Sequence, residues 1–146
     1  MDDIKRILAG IMKNSSFSEP FFEGVLNRLD SFGYKAKEED AWSLSFAMQK
    51  VENHIKNFCN VSSVPEGLFN IAVDMVCGEF LFAKKQTGQL TVGELDLSCA
   101  IEQISEGDTT VTFGDGTSDE DKFTMLLNHL MNKGEGDFIC FRKLKW

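Results

Sequence analysis

EEDAWSLSFAMQKVENHIKNFCNVSSVPEGLFNIAVDMVCGEFLFAKKQTG, residues 38–88, holds two helical patterns joined by a short link. Glu38, Glu39 and Asp40 stand where a helix dipole favours negative charge. Behind them Leu44, Ala47, Met48, Val51, Ile55 and Phe58 recur at helical spacing, with Lys50, Glu52, Asn53 and Lys56 opposite, and the pattern ends near Asn60. Pro65 then sits in a first helical turn, where its missing N–H costs nothing, and Gly88 follows Gln86 as a stop. Between them Leu68, Ile71, Ala72, Met75, Val76 and Phe82 make one face, while Phe69, Val73 and Phe80 lie round the side. A helix this apolar in girth is central in its own domain or shared with a neighbouring subunit. The central position is the expectation, because a small helical core needs one such helix.

Working towards the N-terminus, Ile4, Ile7, Leu8 and Ile11 form one stripe of a helix over about 3–13. Ser18 stands as a cap before Glu19 and Pro20, and Phe21, Phe22, Val25, Leu26 and Leu29 carry a second helix to a stop at Gly33. Beyond Gly88 the pattern weakens. Thr91-Val92-Gly93-Glu94 fits a capping box ahead of Leu95, Leu97, Ile101 and Ile104, a short helix. Thr109 to Phe113 alternates like a short strand, and Gly114-Asp115-Gly116 marks a turn. Ser118 with Asp119, Glu120 and Asp121 caps a last helix carrying Phe123, Leu126, Leu127, Leu130 and Met131, which Gly134 and Gly136 end. The fold expected is mainly α, a small bundle of four to five helices with a minor β component. It reads as one domain over 1–146: N-terminal helices in 1–35, a helical core in 38–134 with a strand near 109–113, and a C-terminal arm, 138–146.

The length of 146 residues suits one core. Hydrophobic residues at 42% and charged residues at 26% argue against wholesale disorder. Of the 16 aromatic residues 13 are phenylalanine, and only 2 prolines are present, so the aromatics should pack between helices. The formal net charge is -8, a poor match to phosphate backbones, so nucleic-acid binding is not expected. That charge is uneven. The arm Phe138-Ile139-Cys140-Phe141-Arg142-Lys143-Leu144-Lys145-Trp146 holds three cations and no acid, leaving 12 basic and 23 acidic side chains, a net of -11, in the rest. The arm is either a terminal strand of its own domain or a strand that adds to a partner's sheet edge. No apolar run approaches the roughly 20 residues of a membrane span, and no signal core opens the chain. Cys59, Cys77, Cys99 and Cys140 form no CxxC pair and read as reduced, mostly buried thiols.

Motifs that carry chemistry fail on inspection. A calcium loop beginning at Asp115 would need Gly at its sixth position and Glu at its twelfth, where Glu120 and Leu126 stand. His54 and His129 belong to no metal-binding pattern, no GxSxG elbow is present, and Gly114-Asp115-Gly116 leads into neither a P-loop nor a dinucleotide fingerprint. The expectation is therefore a non-enzyme with neither cofactor nor metal.

Residues Val51 to Leu81 resemble the core of head–tail connector proteins from tailed phages and prophages of Gram-positive bacteria. The likeness lies in Ile55-Lys56-Asn57-Phe58-Cys59-Asn60 followed by Val64-Pro65-Glu66-Gly67-Leu68 and a long apolar helix. It continues through Ile104 to Phe113, ISEGDTTVTF, then a helix, and ends on Phe141-Arg142-Lys143-Leu144-Lys145-Trp146. The resemblance covers residues 38–146. It implies a structural protein of the virion neck, present in the host cytoplasm before assembly. Such connectors form a dodecameric ring of neighbouring copies beneath the portal protein and join it to a downstream neck or tail protein. Genomic DNA passes through without sequence-specific binding. Portal contact by Phe138, Ile139, Cys140, Phe141, Arg142, Lys143, Leu144, Lys145 and Trp146 is the site expectation. An acidic channel wall would repel the duplex and limit sticking. A tail-completion or stopper protein of the neck, and a small acidic phage regulator binding a host protein, are the alternatives.

Overall fold

The computed structural model describes residues 2–13, 15, 17–91, 93, 95–97 and 118–132. Among these residues the regular structure is helical: α1 (Asp2–Ile11), α2 (Glu19–Ser31), α3 (Ala41–Cys59), α4 (Phe69–Gln86) and α5 (Asp119–Asn132). The expected strand at 109–113 and the arm 138–146 lie outside the described residues, as does most of the short helix near 95–104. No strand occurs among the described residues, and none of the helices there is long and apolar enough to cross a membrane.

The helix ends follow the local chemistry, with one correction. Asn60 closes α3 in the left-handed conformation (φ 55°), and Gly33 and Gly88 take φ 92° and 75° after α2 and α4. Gly33 is needed twice over, since a Cβ there would lie 2.8 Å from the backbone nitrogen of Asp96, whose N–H donates to the Phe32 carbonyl at 2.9 Å. Ser118 caps α5 through its hydroxyl, which accepts from the Asp121 N–H. Ser18 does not cap α2 in that way. Its carbonyl accepts from the N–H groups of Phe21 and Phe22, but its hydroxyl makes no cap hydrogen bond. A 3₁₀ turn over Glu38–Asp40 leads into α3, and another over Glu66–Leu68 leads from Pro65 into α4.

Helix α4 is the centre, packing against α2, α3 and α5, while α1 lies across α2 and α3. Helices α3 and α4 form an antiparallel hairpin, as Asp40 meets Lys84 at one end and Lys50 meets Glu79 further along. Helix α5 also runs antiparallel to α4: Lys85 pairs with Glu120, and Gly78 faces Leu130 and Met131. The central position foreseen from the apolar girth is the one observed.

Phenylalanine fills the gaps between layers. Phe21, Phe22, Phe32, Phe80 and Phe123 are fully buried; Phe17 stacks on Phe21 at 3.8 Å, and Phe69 meets Phe21 edge-on. Ile55, Leu68, Met75 and Leu127 are buried as expected, but Ile71 is only partly covered. Phe58 and Phe82, placed on the inner faces by spacing, are exposed. Phe58 falls near the end of α3, at the edge of the core stripe, and Phe82 lies in the last turns of α4, two turns beyond buried Met75 on the same face. Glu52 corrects the reading in the other direction. It is buried because the Ser15 hydroxyl donates to it and Lys56 pairs with it at 3.0 Å.

Candidate functional site

Three polar arrangements and one apolar face could carry a function. The first is a buried carboxylate lock. Asp40 accepts from the Lys84 ammonium (2.6 Å), the Tyr34 hydroxyl (2.8 Å) and the Lys37 N–H (3.0 Å), beneath a polar recess of about 420 Å³. Burial pushes its pKa up, but the hydrogen bonds from Lys84, Lys37 and Tyr34 outweigh that and hold it below the usual carboxylate value. All its partners come from the protein, so the carboxylate is committed to joining the start of α3 to the end of α4.

The second arrangement is a groove of about 520 Å³ between α2 and α4, lined by Gly24, Arg28, Phe69, Val73 and Asp74 among others. Arg28 Nε donates to Asp74 at 3.0 Å and its guanidinium lies 4.9 Å above the Phe32 ring. Burial raises the Asp74 pKa against the pull of Arg28. Cys77, beside this groove in sequence, is fully buried, and burial drives its thiol pKa far up, which makes it a packing residue rather than a nucleophile. Cys59 is likewise buried. The third arrangement, around Glu52, Ser15 and Lys56, is internally satisfied. Among the described residues no group of three His, Cys, Asp or Glu side chains is placed to hold a metal ion.

The apolar face lies on the outside of α3. With about 100° per residue, the core stripe Leu44, Met48, Val51 and Ile55 leaves positions 42, 46, 49, 53 and 57 pointing away from the core. These are Trp42, Phe46, Gln49, Asn53 and Asn57, all exposed and none charged. Trp42 is 60% exposed and Phe46 63%, their rings 6.3 Å apart, so two large aromatics stand in water one helical turn from each other. The lysines bordering the stripe are tied down: Lys50 to Glu79 at 3.0 Å and Lys56 to Glu52. The Lys50–Glu79 bridge also connects this face to exposed Phe82 on α4, since Phe46 and Phe82 each lie about one turn from a member of the bridge. Aromatic enrichment with charge depletion is the composition of a protein–protein interface core. This face is the candidate docking surface among the described residues.

The sequence reading assigned Trp42 and Phe46 to no face. Their signal was present: two aromatics at i and i+4, half a helical turn out of phase with the core stripe. The residues it did choose, 138–146, lie outside the described residues. No protein-family model matches the chain, nor does any curated protein or solved structure.

Proposed function

We propose that this chain is a structural interaction protein that assembles with copies of itself and with larger partners. The observation that carries this reading is the uncharged aromatic face of α3, Trp42, Phe46, Gln49, Asn53 and Asn57. The other conspicuous arrangements, the Asp40 lock and the Arg28–Asp74 pair, are spent on holding helices together.

Within that class the reading adopted is a neck component of a tailed phage, a ring joining the portal to the tail around the DNA channel. Its support is the ordered likeness of Val51–Leu81, Ile104–Phe113 and the ending Phe141–Trp146 to head–tail connectors. A ring of one chain needs two different surfaces, because head-to-tail contacts are heterologous. In this reading the α3 face meets a neighbouring copy and the arm 138–146 attaches to the portal. Segments 109–113 and 138–146 supply a minor β component.

The double variant Trp42→Ser/Phe46→Ser tests the reading. Both side chains are exposed, so circular dichroism and the melting temperature should change little, whereas co-sedimentation with portal rings, strengthened by contacts between neighbouring copies, should fall at least tenfold. Undiminished co-sedimentation of the folded variant would remove the α3 face from the assembly.

A further inference from the structure

We infer that the aromatic ridge of α3 seats in the groove between α2 and α4 of a second copy of this chain. The inference rests on the proposed self-assembly through α3 and names the surface that receives it. Two helical stripes build that groove. On α2, Gly24, Asn27, Arg28 and Ser31 fall at i, i+3, i+4 and i+7; on α4, Asn70, Val73 and Asp74 fall at i, i+3 and i+4. Gly24 opens the space between them. A Cβ there would stand only 3.5 Å from Val73 Cγ2, so its absence leaves buried Val73 as the floor. The result is an open trough of about 520 Å³, with Phe69 at the end where α4 begins.

Charge selects this pairing. The ridge of Trp42, Phe46, Gln49 and Asn53 carries no charge, and the two charged residues that line the groove, Arg28 and Asp74, neutralise each other at 3.0 Å. Copies of a chain with a net charge of -8 repel one another, and that repulsion is least where two neutral surfaces meet. The recognition groups match as well. The Arg28 guanidinium, which already lies over the Phe32 ring, gives the groove a cation for the indole of Trp42. The exposed amides of Gln49 and Asn53 find their counterparts in the exposed amides of Asn27 and Asn70 on the groove rim.

Size and symmetry agree with an assembling contact. Trp42 and Phe46 stand roughly 6 Å apart along their helix, within the roughly 10 Å from Gly24 to Ser31, so one groove takes both rings. A ridge laid between two helices is the ordinary geometry of helix packing. The two rings expose roughly 200–300 Å², a fraction of the roughly 1,200 Å² that a stable interface buries. The contact is therefore weak between free chains and takes hold where copies are gathered, as on a template. Ridge and groove share no residue, so each copy uses both at once, and the contact is head-to-tail, as a ring requires.

The test places p-benzoylphenylalanine at position 46 of the full chain and irradiates an equal mixture of ¹⁵N-labelled and unlabelled protein. Submillimolar protein and physiological salt favour the contact, since salt screens the net charge. Cross-links of mixed isotope to peptides carrying Gly24–Ser31 or Phe69–Asp74 are expected. Gly24→Gln, which fills the groove with a good helix former, should reduce them at least fivefold. Links to α3 of the second copy, or no links of mixed isotope, would overturn the inference. Complementation gives a second measurement. Trp42→Ser/Phe46→Ser keeps the groove and Gly24→Gln keeps the ridge. In sedimentation equilibrium neither variant should associate alone, and their mixture should form dimers and nothing larger. Self-association of Gly24→Gln alone would place ridge against ridge and overturn the inference, as would a mixture that stays monomeric. Electron microscopy with the portal separates this contact from the neck reading. Groove links with bare portal rings would keep the contact and remove the neck, whereas an added ring without groove links would do the reverse.

Discussion

Asp40 shows how much a single residue can do that its place in the sequence does not announce. As the last of three consecutive acids it reads as an ornament of the helix dipole. In the fold it is buried and bonded to a lysine 44 positions away. Its folded pKa lies below the unfolded value of about 3.9, so the stability it contributes is full above that value and is lost as pH falls through the folded pKa. Urea unfolding between pH 5 and 2 should therefore show a steeper loss for the native chain than for Asp40→Asn. At pH 7 the same substitution leaves Lys84 largely buried without its counter-charge and should cost roughly 3–5 kcal/mol. Equal acid profiles for the two proteins would mean that Asp40 is not the anchor described. Glu52 teaches the same lesson. The i,i+4 spacing to Lys56 is plain in the sequence, but the Ser15 that helps to bury it lies 37 residues away and can be found only in three dimensions.

The helices themselves were legible, because their periodicity, caps and stops are local. The alternation of Leu44, Met48, Val51 and Ile55 places α3 on the core without knowledge of its neighbours, and the girth of α4 placed it at the centre. Which large side chains stay outside was less legible, since Phe58 and Phe82 fit the inner pattern and are exposed. What covers a position depends on how the helices cross, and that has no local signature. Two predictions belong here. Ile55→Ala should cost roughly 2–5 kcal/mol, whereas Phe46→Ser on the opposite side of the same helix should stay within about 0.5 kcal/mol, measured by chemical denaturation. Similar costs at the two sites would refute the assigned faces of α3. At the α4–α5 crossing, a Cβ on Gly78 would lie 2.6 Å from Met131 Cγ and 3.1 Å from Leu130 Cβ. Gly78→Ala should then destabilise by about 1–3 kcal/mol through overpacking, although alanine is the better helix former. A rise in melting temperature would show that α5 packs less closely than described.

For the whole molecule, the parts are a helical body held by α4, an exposed aromatic face on α3, and a C-terminal sequence whose three cations oppose the net negative charge of everything before it. The body was readable from pattern. The aromatic face was readable too, but only by setting Trp42 and Phe46 against the stripe of Leu44, Met48, Val51 and Ile55, half a helical turn away. If the chain forms a ring only on its template, it should sediment as a monomer at micromolar concentration, and a stable dodecamer in the absence of any partner would contradict that. On the neck reading, deleting residues 138–146 should preserve most of the helical signal and abolish attachment to the portal. Outright unfolding of the truncated chain would instead make the arm a strand of its own domain. The central proposal, that the chain builds a ring between portal and tail, is tested most directly by electron microscopy of the purified full chain mixed with the portal ring of the phage to which the proposal assigns it. The account predicts class averages with an added twelve-fold ring at the portal exit and an open central channel. Portal rings left bare at saturating concentrations of folded chain would contradict it.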